Sequence, residues 1–117
     1  MLIVEVSEFA GTWLMNHDGL TGKLVLECVE ETGKDAETRV RTLNGRYTDA
    51  NGQPYPVDSV SVDVHRISFI IHFTEHSQLF RGYLFTETRD AMAGYTIRGE
   101  ERFGWFAIRA ESPLIAS

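Results

Sequence analysis

A chain of 117 residues, 43% hydrophobic and 24% charged, has the size and composition of one globular domain with a single core. Its 11 Lys and Arg against 17 Asp and Glu leave a formal charge of −6, which argues against a phosphate-tracking nucleic-acid surface and against docking on anionic membranes. The one cysteine, Cys28, excludes an intrachain disulfide, and no apolar run approaches the roughly 20 residues of a spanning helix. Met1-Leu2-Ile3-Val4 is too short for a secretory apolar region, so a cytoplasmic location is expected.

In chain order, Leu2, Val4 and Val6 alternate with Ile3 and Glu5, so residues 1–8 read as a short strand or flap ahead of a domain spanning 9–111. Phe9-Ala10-Gly11-Thr12-Trp13 then opens that domain: a glycine for a tight bend, followed by a ring large enough to plug one end of a barrel. The first strand is predicted over 11–16 and stops at a His17-Asp18-Gly19 turn. Residues 22–30 follow, with Leu24, Leu26 and Cys28 on one face, where Cys28 is expected to be a small buried hydrophobe. Residues 30–37 read as a charged loop, and 38–48 alternate again with arginines on the wet face.

Asn51-Gly52 is the clearest hairpin signal, because both residues accept positive φ. Pro54 and Pro56 lack the N–H of a central ladder, so pairing is expected to begin after them, over 57–64, with Val60, Val62 and Val64 inward. Residues 67–74 place Ile67, Phe69, Ile71 and Phe73 on one face and Ser68, Ile70, His72 and Thr74 on the other. Strands over 79–85, with Gly82 as a bend, over 92–98 and over 105–110 complete the set, and residues 112–117 form a tail. Eight short strands at even spacing predict an all-β fold, an eight-stranded antiparallel up-and-down barrel whose interior is either packed or holds one small ligand.

The Gly11-Thr12-Trp13 opening, the meander and the closing Trp105-Phe106-Ala107-Ile108-Arg109 resemble the calycin superfamily of lipocalins, fatty-acid-binding proteins and avidins. That resemblance implies a structural cap in which the last-strand Arg109 packs over the first-strand Trp13 at the closed end. Asp90-Ala91-Met92-Ala93-Gly94 is also similar to small bacterial lipocalin-like domains. Length and the Gly-Thr-Trp start look most like avidins, but the chain reads Leu14-Met15-Asn16-His17-Asp18-Gly19-Leu20 and has no serine after the glycine, which points away from biotin.

Chemistry-bearing residues are sparse. His17, His65, His72 and His76 are expected on the surface; His72 and His76, four apart along a strand, are separated by roughly 13 Å and cannot share one ion, so no metal and no cofactor is expected. There is no Gly-x-Ser-x-Gly, and Cys28 has no histidine partner in sequence. Tyr83, Tyr95, Arg98 and Glu100 would suit acid–base chemistry if gathered in the lumen, although cross-strand pairing outside is the weightier expectation. The aromatic residues carry the ligand hypothesis, and Trp13, Met15, Phe69, Phe73, Tyr83, Tyr95 and Trp105 are expected to line a lumen pocket for a small, partly apolar molecule. With Ile70 on the face opposite Phe69, the outer wall is apolar too, which predicts a homo-oligomer, first of all a dimer. Non-catalytic binding is therefore the leading expectation, a packed barrel acting as an assembly module the alternative, and a small lumen isomerase or decarboxylase the third. A large cavity at Trp13, Met15, Phe69 and Trp105 would favour binding; a filled lumen with an apolar exterior would favour assembly.

Overall fold

The structure is a computed structural model that describes residues 6–32 and 39–111. A 3-10 turn, Val6–Phe9, leads into β1 (Gly11–His17), β2 (Leu20–Thr32), β3 (Arg39–Asp49), β4 (Pro54–Asp63), β5 (Arg66–His72), β6 (Ser77–Leu84), β7 (Ala91–Arg98) and β8 (Glu101–Arg109). Each strand pairs antiparallel with its neighbour in sequence, and β1 pairs with β8, so the sheet closes into an eight-stranded barrel. Closure satisfies the hydrogen bonds that an open sheet would leave at its edges. The expected flap is replaced, over its described part, by the start of the 3-10 turn; the remainder of that segment and the 112–117 tail lie outside the described residues. No helix among the described residues is long and apolar enough to cross a membrane.

Strand alternation builds the core. Trp13, Met15, Leu24, Leu26, Tyr47, Phe69, Ile71, Phe80 and Met92 are fully buried, and the rings of Phe69 and Phe80 stack at 5.3 Å with Trp105 edge-on at 5.6 Å from Phe69. Trp105 fits because Gly94, its register partner, and Gly82, the partner of Gly94, leave the wall thin there. A Cβ on Gly82 would stand 2.6 Å from Trp105 Cζ2, and one on Gly94 would stand 2.5 Å from Gly82 Cα. The indole N–H of Trp105 reaches the wall itself, donating to the carbonyls of Arg81 and Tyr95 at 3.0 Å each. Side chains therefore fill the middle of the barrel.

Three local expectations are corrected. Pro54 and Pro56 do lie within paired strand, opposite Thr48 and Arg46, but β4 joins β5 only from Val57, so one flank of the proline segment is free and a missing N–H costs nothing there. An irregularity between Asp58 and Ser61, with Ser59 at φ 54°, then shifts the alternation, so Val57 is buried and Val60 and Val62 pack against the core, while Val64 is 40% exposed at the following turn with φ 55°. Finally, β2 runs longer than predicted, β3 keeps its predicted length one residue further on, and the two stay paired from Gly22↔Asp49 to Thr32↔Arg39, whereas β1 leaves β2 at Leu26 and β4 leaves β3 at Gly45. Cys28 lies on this projecting hairpin and is exposed, not buried.

The two ends of the barrel differ. At one end the 3-10 turn folds across the opening and buries Phe9; Trp13 Nε1 donates to the Phe9 carbonyl at 2.9 Å. Arg109 lies over the Trp13 ring at 4.3 Å and donates to the carbonyls of Glu8, Ala10 (2.6 Å) and Arg89 (3.0 Å). Glu8 in turn meets His65 at 3.3 Å and Arg89 at 3.2 Å, tying the turn to the loops after β4 and β6. The other end, formed by the β1–β2, β3–β4, β5–β6 and β7–β8 turns, is the mouth.

Candidate functional site at the barrel mouth

The mouth is organised by a histidine that the turn prediction had placed at the surface. β1 continues through His17, and the hairpin is made by Asp18 (φ 51°) and Gly19 (φ 76°) alone, the two positive φ values that a two-residue primed turn needs. His17 thus keeps the inward parity of Trp13 and Met15 and is only 3% exposed. Its ring sits 5.6 Å from Tyr47, 5.6 Å from Phe73 and 5.4 Å from Phe80.

Its hydrogen bonds fix its tautomer. Nδ1 is 3.3 Å from Asp18 Oδ2, and an ionised carboxylate only accepts, so Nδ1–H donates. Nε2, 3.2 Å from the Tyr47 hydroxyl, is then the acceptor and the phenol the donor. Burial pushes the His17 pKa below its ordinary 6.5, outweighing the hydrogen bond and charge of Asp18, which act the other way; Arg98 and His76 add to the lowering. Burial likewise raises the Tyr47 phenol to about 12, so it keeps its proton at neutral pH. Gly22 makes room for this phenol, since a Cβ there would collide with the hydroxyl oxygen.

Gln78 and Thr96 extend the network. Gln78 Nε2 donates to Asp18 Oδ2 at 3.2 Å and to Thr96 Oγ1 at 2.7 Å, its Oε1 faces His76 Nε2 at 2.9 Å, and Thr96 donates onward to the Leu79 carbonyl at 2.8 Å. Gln78 is 2% exposed and Thr96 0%. One acceptor is left over: Asp18 Oδ1 is buried with no donor among the described residues. Above this floor opens a recess of about 270 Å³, walled by Tyr55, Phe73, His76 and Arg98.

The residues singled out in the sequence scatter. Phe73 lies at the mouth, while Trp13, Met15, Phe69 and Trp105 are core, in contact with each other or with further core rings rather than around open space. Tyr83 and Tyr95 are corrected from lumen to outer wall: Tyr83 is 53% exposed, and Arg102 lies 5.0 Å over the Tyr95 ring. The acid–base set does not assemble, because these tyrosines face outward, Arg98 lies at the mouth and Glu100 is exposed in the β7–β8 turn. Of the histidines, His17 overturns the surface expectation, whereas His72 is on the outer face between Asp58 and Ser77, at 2.6 Å from each. Among the described residues no group of three or more His, Cys, Asp or Glu is arranged to hold a metal.

Sequence reading missed His17, Asp18, Gln78 and Thr96. The signal for His17 was present, as the third step of the Trp13, Met15 alternation, and Gln78 is one step before the inward Phe80. Outside, Leu14, Phe106, Tyr83 and Phe85 are 38%, 46%, 53% and 55% exposed, and Ala93 joins Tyr83 to Phe106 across β7. No protein-family model matches this chain, and no curated protein matches it significantly.

Proposed function

We propose that the protein binds a small, partly apolar molecule without transforming it, and that the binding place is the mouth recess, not the middle of the lumen. The observation that carries this reading is the polar floor of the buried His17, Gln78 and Thr96 and the part-buried Asp18 beneath the aromatic wall of Tyr55 and Phe73. Leucine or phenylalanine at those inward positions would stabilise a merely packed barrel without the desolvation that each buried polar group brings. A few convergent polar groups under an apolar rim are what a small-molecule site requires. The capped opposite end, with Arg109 over Trp13, supports a calycin-like barrel open at one end only. The acidic charge and single cysteine support a cytoplasmic location.

The test is amide NMR of the intact chain against a fragment set. Saturable shifts confined to residues 17–19, 73–78 and 96–98 are expected, and fragments that bind only the outer wall would sink the reading. A second reading, self-association, is favoured by the filled lumen and by the exposed Leu14, Phe106, Tyr83 and Phe85 on the outer wall. The two are compatible, because the wall and the mouth share none of these residues.

A further inference from the structure

Resting on the mouth as the binding place, we infer that its ligand is a small planar molecule presenting an N–H donor, best a delocalised cation of the amidinium or guanidinium kind, to Asp18 Oδ1. The inference follows from which hydrogen-bonding capacity the floor has left. His17 uses both ring nitrogens, on Asp18 and Tyr47. Gln78 commits its amide nitrogen to Asp18 and Thr96 and its oxygen to His76, and Thr96 gives its hydrogen to Leu79. Among the described residues the side chains of the floor thus keep no free donor and one acceptor atom without a partner, Asp18 Oδ1, which is buried beneath the recess that Asp18 helps to line. A ligand carboxylate or carbonyl pointed there would set acceptor against acceptor; an N–H group fills the place.

Charge points the same way. Burial keeps His17 neutral at pH 7, which leaves Asp18 as the single charge of the floor. At the rim Arg98 and Glu75 are both exposed and opposite in sign, so they largely offset each other, and His76 is exposed beside Phe73. The rings of Tyr55 and Phe73, centroids 5.2 Å apart and inclined at 60°, line the recess, so a planar cation entering it meets aromatic quadrupoles that favour it. A charge-assisted hydrogen bond to a desolvated carboxylate then supplies selectivity.

Three isosteric probes separate the possibilities: benzamidine, benzamide and benzoate, each titrated into the intact labelled chain at millimolar concentrations and read by amide NMR. Benzamidine should shift the amides of residues 17–19 and 73–78 saturably, benzamide more weakly, and benzoate not at all. Asp18→Asn keeps a side chain that tolerates the positive φ of the hairpin and should weaken benzamidine about tenfold, the loss of one charge-assisted bond. Arg98→Ala should strengthen it. Benzoate binding at the same amides as tightly as benzamidine, or Asp18→Asn without effect in a spectrum that is otherwise native, overturns the donor inference while leaving the mouth as the binding place. No mouth shift with any of the three probes overturns the donor inference, and if the fragment set is equally silent at the mouth the reading beneath it falls as well.

Discussion

The guanidinium of Arg109 lies 4.3 Å from the ring centroid of Trp13, its register partner across the β1–β8 closure. The same guanidinium donates to the carbonyls of Glu8, Ala10 and Arg89, so one side chain holds the ring, the 3-10 turn and the loop after β6 together. Arg109→Ala removes all of these at once and is expected to destabilise the fold by about 2–4 kcal/mol, read as a lower melting temperature with a red shift of tryptophan emission. Arg109→Lys should restore only part, because an ammonium cannot spread over three carbonyls as a planar fork does. An unchanged melting temperature in the alanine variant would show that the end is held shut by burial of Phe9 alone.

Gly94 is the tightest point in the wall. A Cβ there would collide with the Arg81 carbonyl oxygen and press on Gly82, both main-chain groups that cannot rotate away. Gly94→Ala is therefore expected to cost about 3 kcal/mol, at the upper end of overpacking, measured as a lowered urea midpoint. Gly99→Ala, which has a φ of 65° but open space around it, should cost only about 1 kcal/mol from backbone strain.

His17 sets a pH dependence whose sign follows from its lowered pKa. Between that folded value and the unfolded 6.5, the unfolded chain binds more protons than the folded one. Stability from this residue is thus fully present above 6.5 and falls as pH drops below it, because the buried ring must be protonated at a cost. The urea midpoint of the natural chain should decline from about pH 7 to about pH 5.5, and His17→Gln should flatten that decline. An equal slope in the variant would assign the effect to another group.

The outer wall makes a separate prediction. If Phe106, 46% exposed, and Leu14, 38% exposed, are covered by a second copy, Phe106→Asp or Leu14→Asp should convert a sedimenting dimer into monomer. Because both side chains point away from the core, thermal stability of the monomer should stay within about 0.5 kcal/mol of the natural chain. A natural chain that sediments as monomer at high concentration would refute self-association outright.

All eight strands and their antiparallel order were legible in the sequence, because period-2 alternation and turn residues are local signals, whereas the Trp13–Arg109 contact was implied by the calycin resemblance and not by any local pattern. The mouth was not legible. His17 was read as a turn residue since His-Asp-Gly is polar, yet the turn needs only Asp18 and Gly19. Tyr83 and Tyr95 were misplaced because aromatic character says nothing about face; Phe80 and Gly82 in one strand, and Gly94 and Thr96 in the next, hold the inward parity beside them. Cys28 shares the parity of Leu24 and Leu26 but lies past the point where β1 leaves β2, and no local pattern marks where a neighbouring strand ends.

That departure of β1 and β4 from the β2–β3 hairpin has a consequence for how the molecule opens. Beyond Leu26 and before Gly45 the hairpin is a ribbon of two strands whose outer flanks have no partner among the described residues. Its amides are therefore protected by the ribbon's own small unzipping energy and not by global unfolding, and they should exchange with solvent orders of magnitude sooner than those of β6 or β7. Among the described residues, a barrel that abolishes edges in its body thus reintroduces two in this arm, where the exposed Glu27 places a charge that discourages another strand from adding.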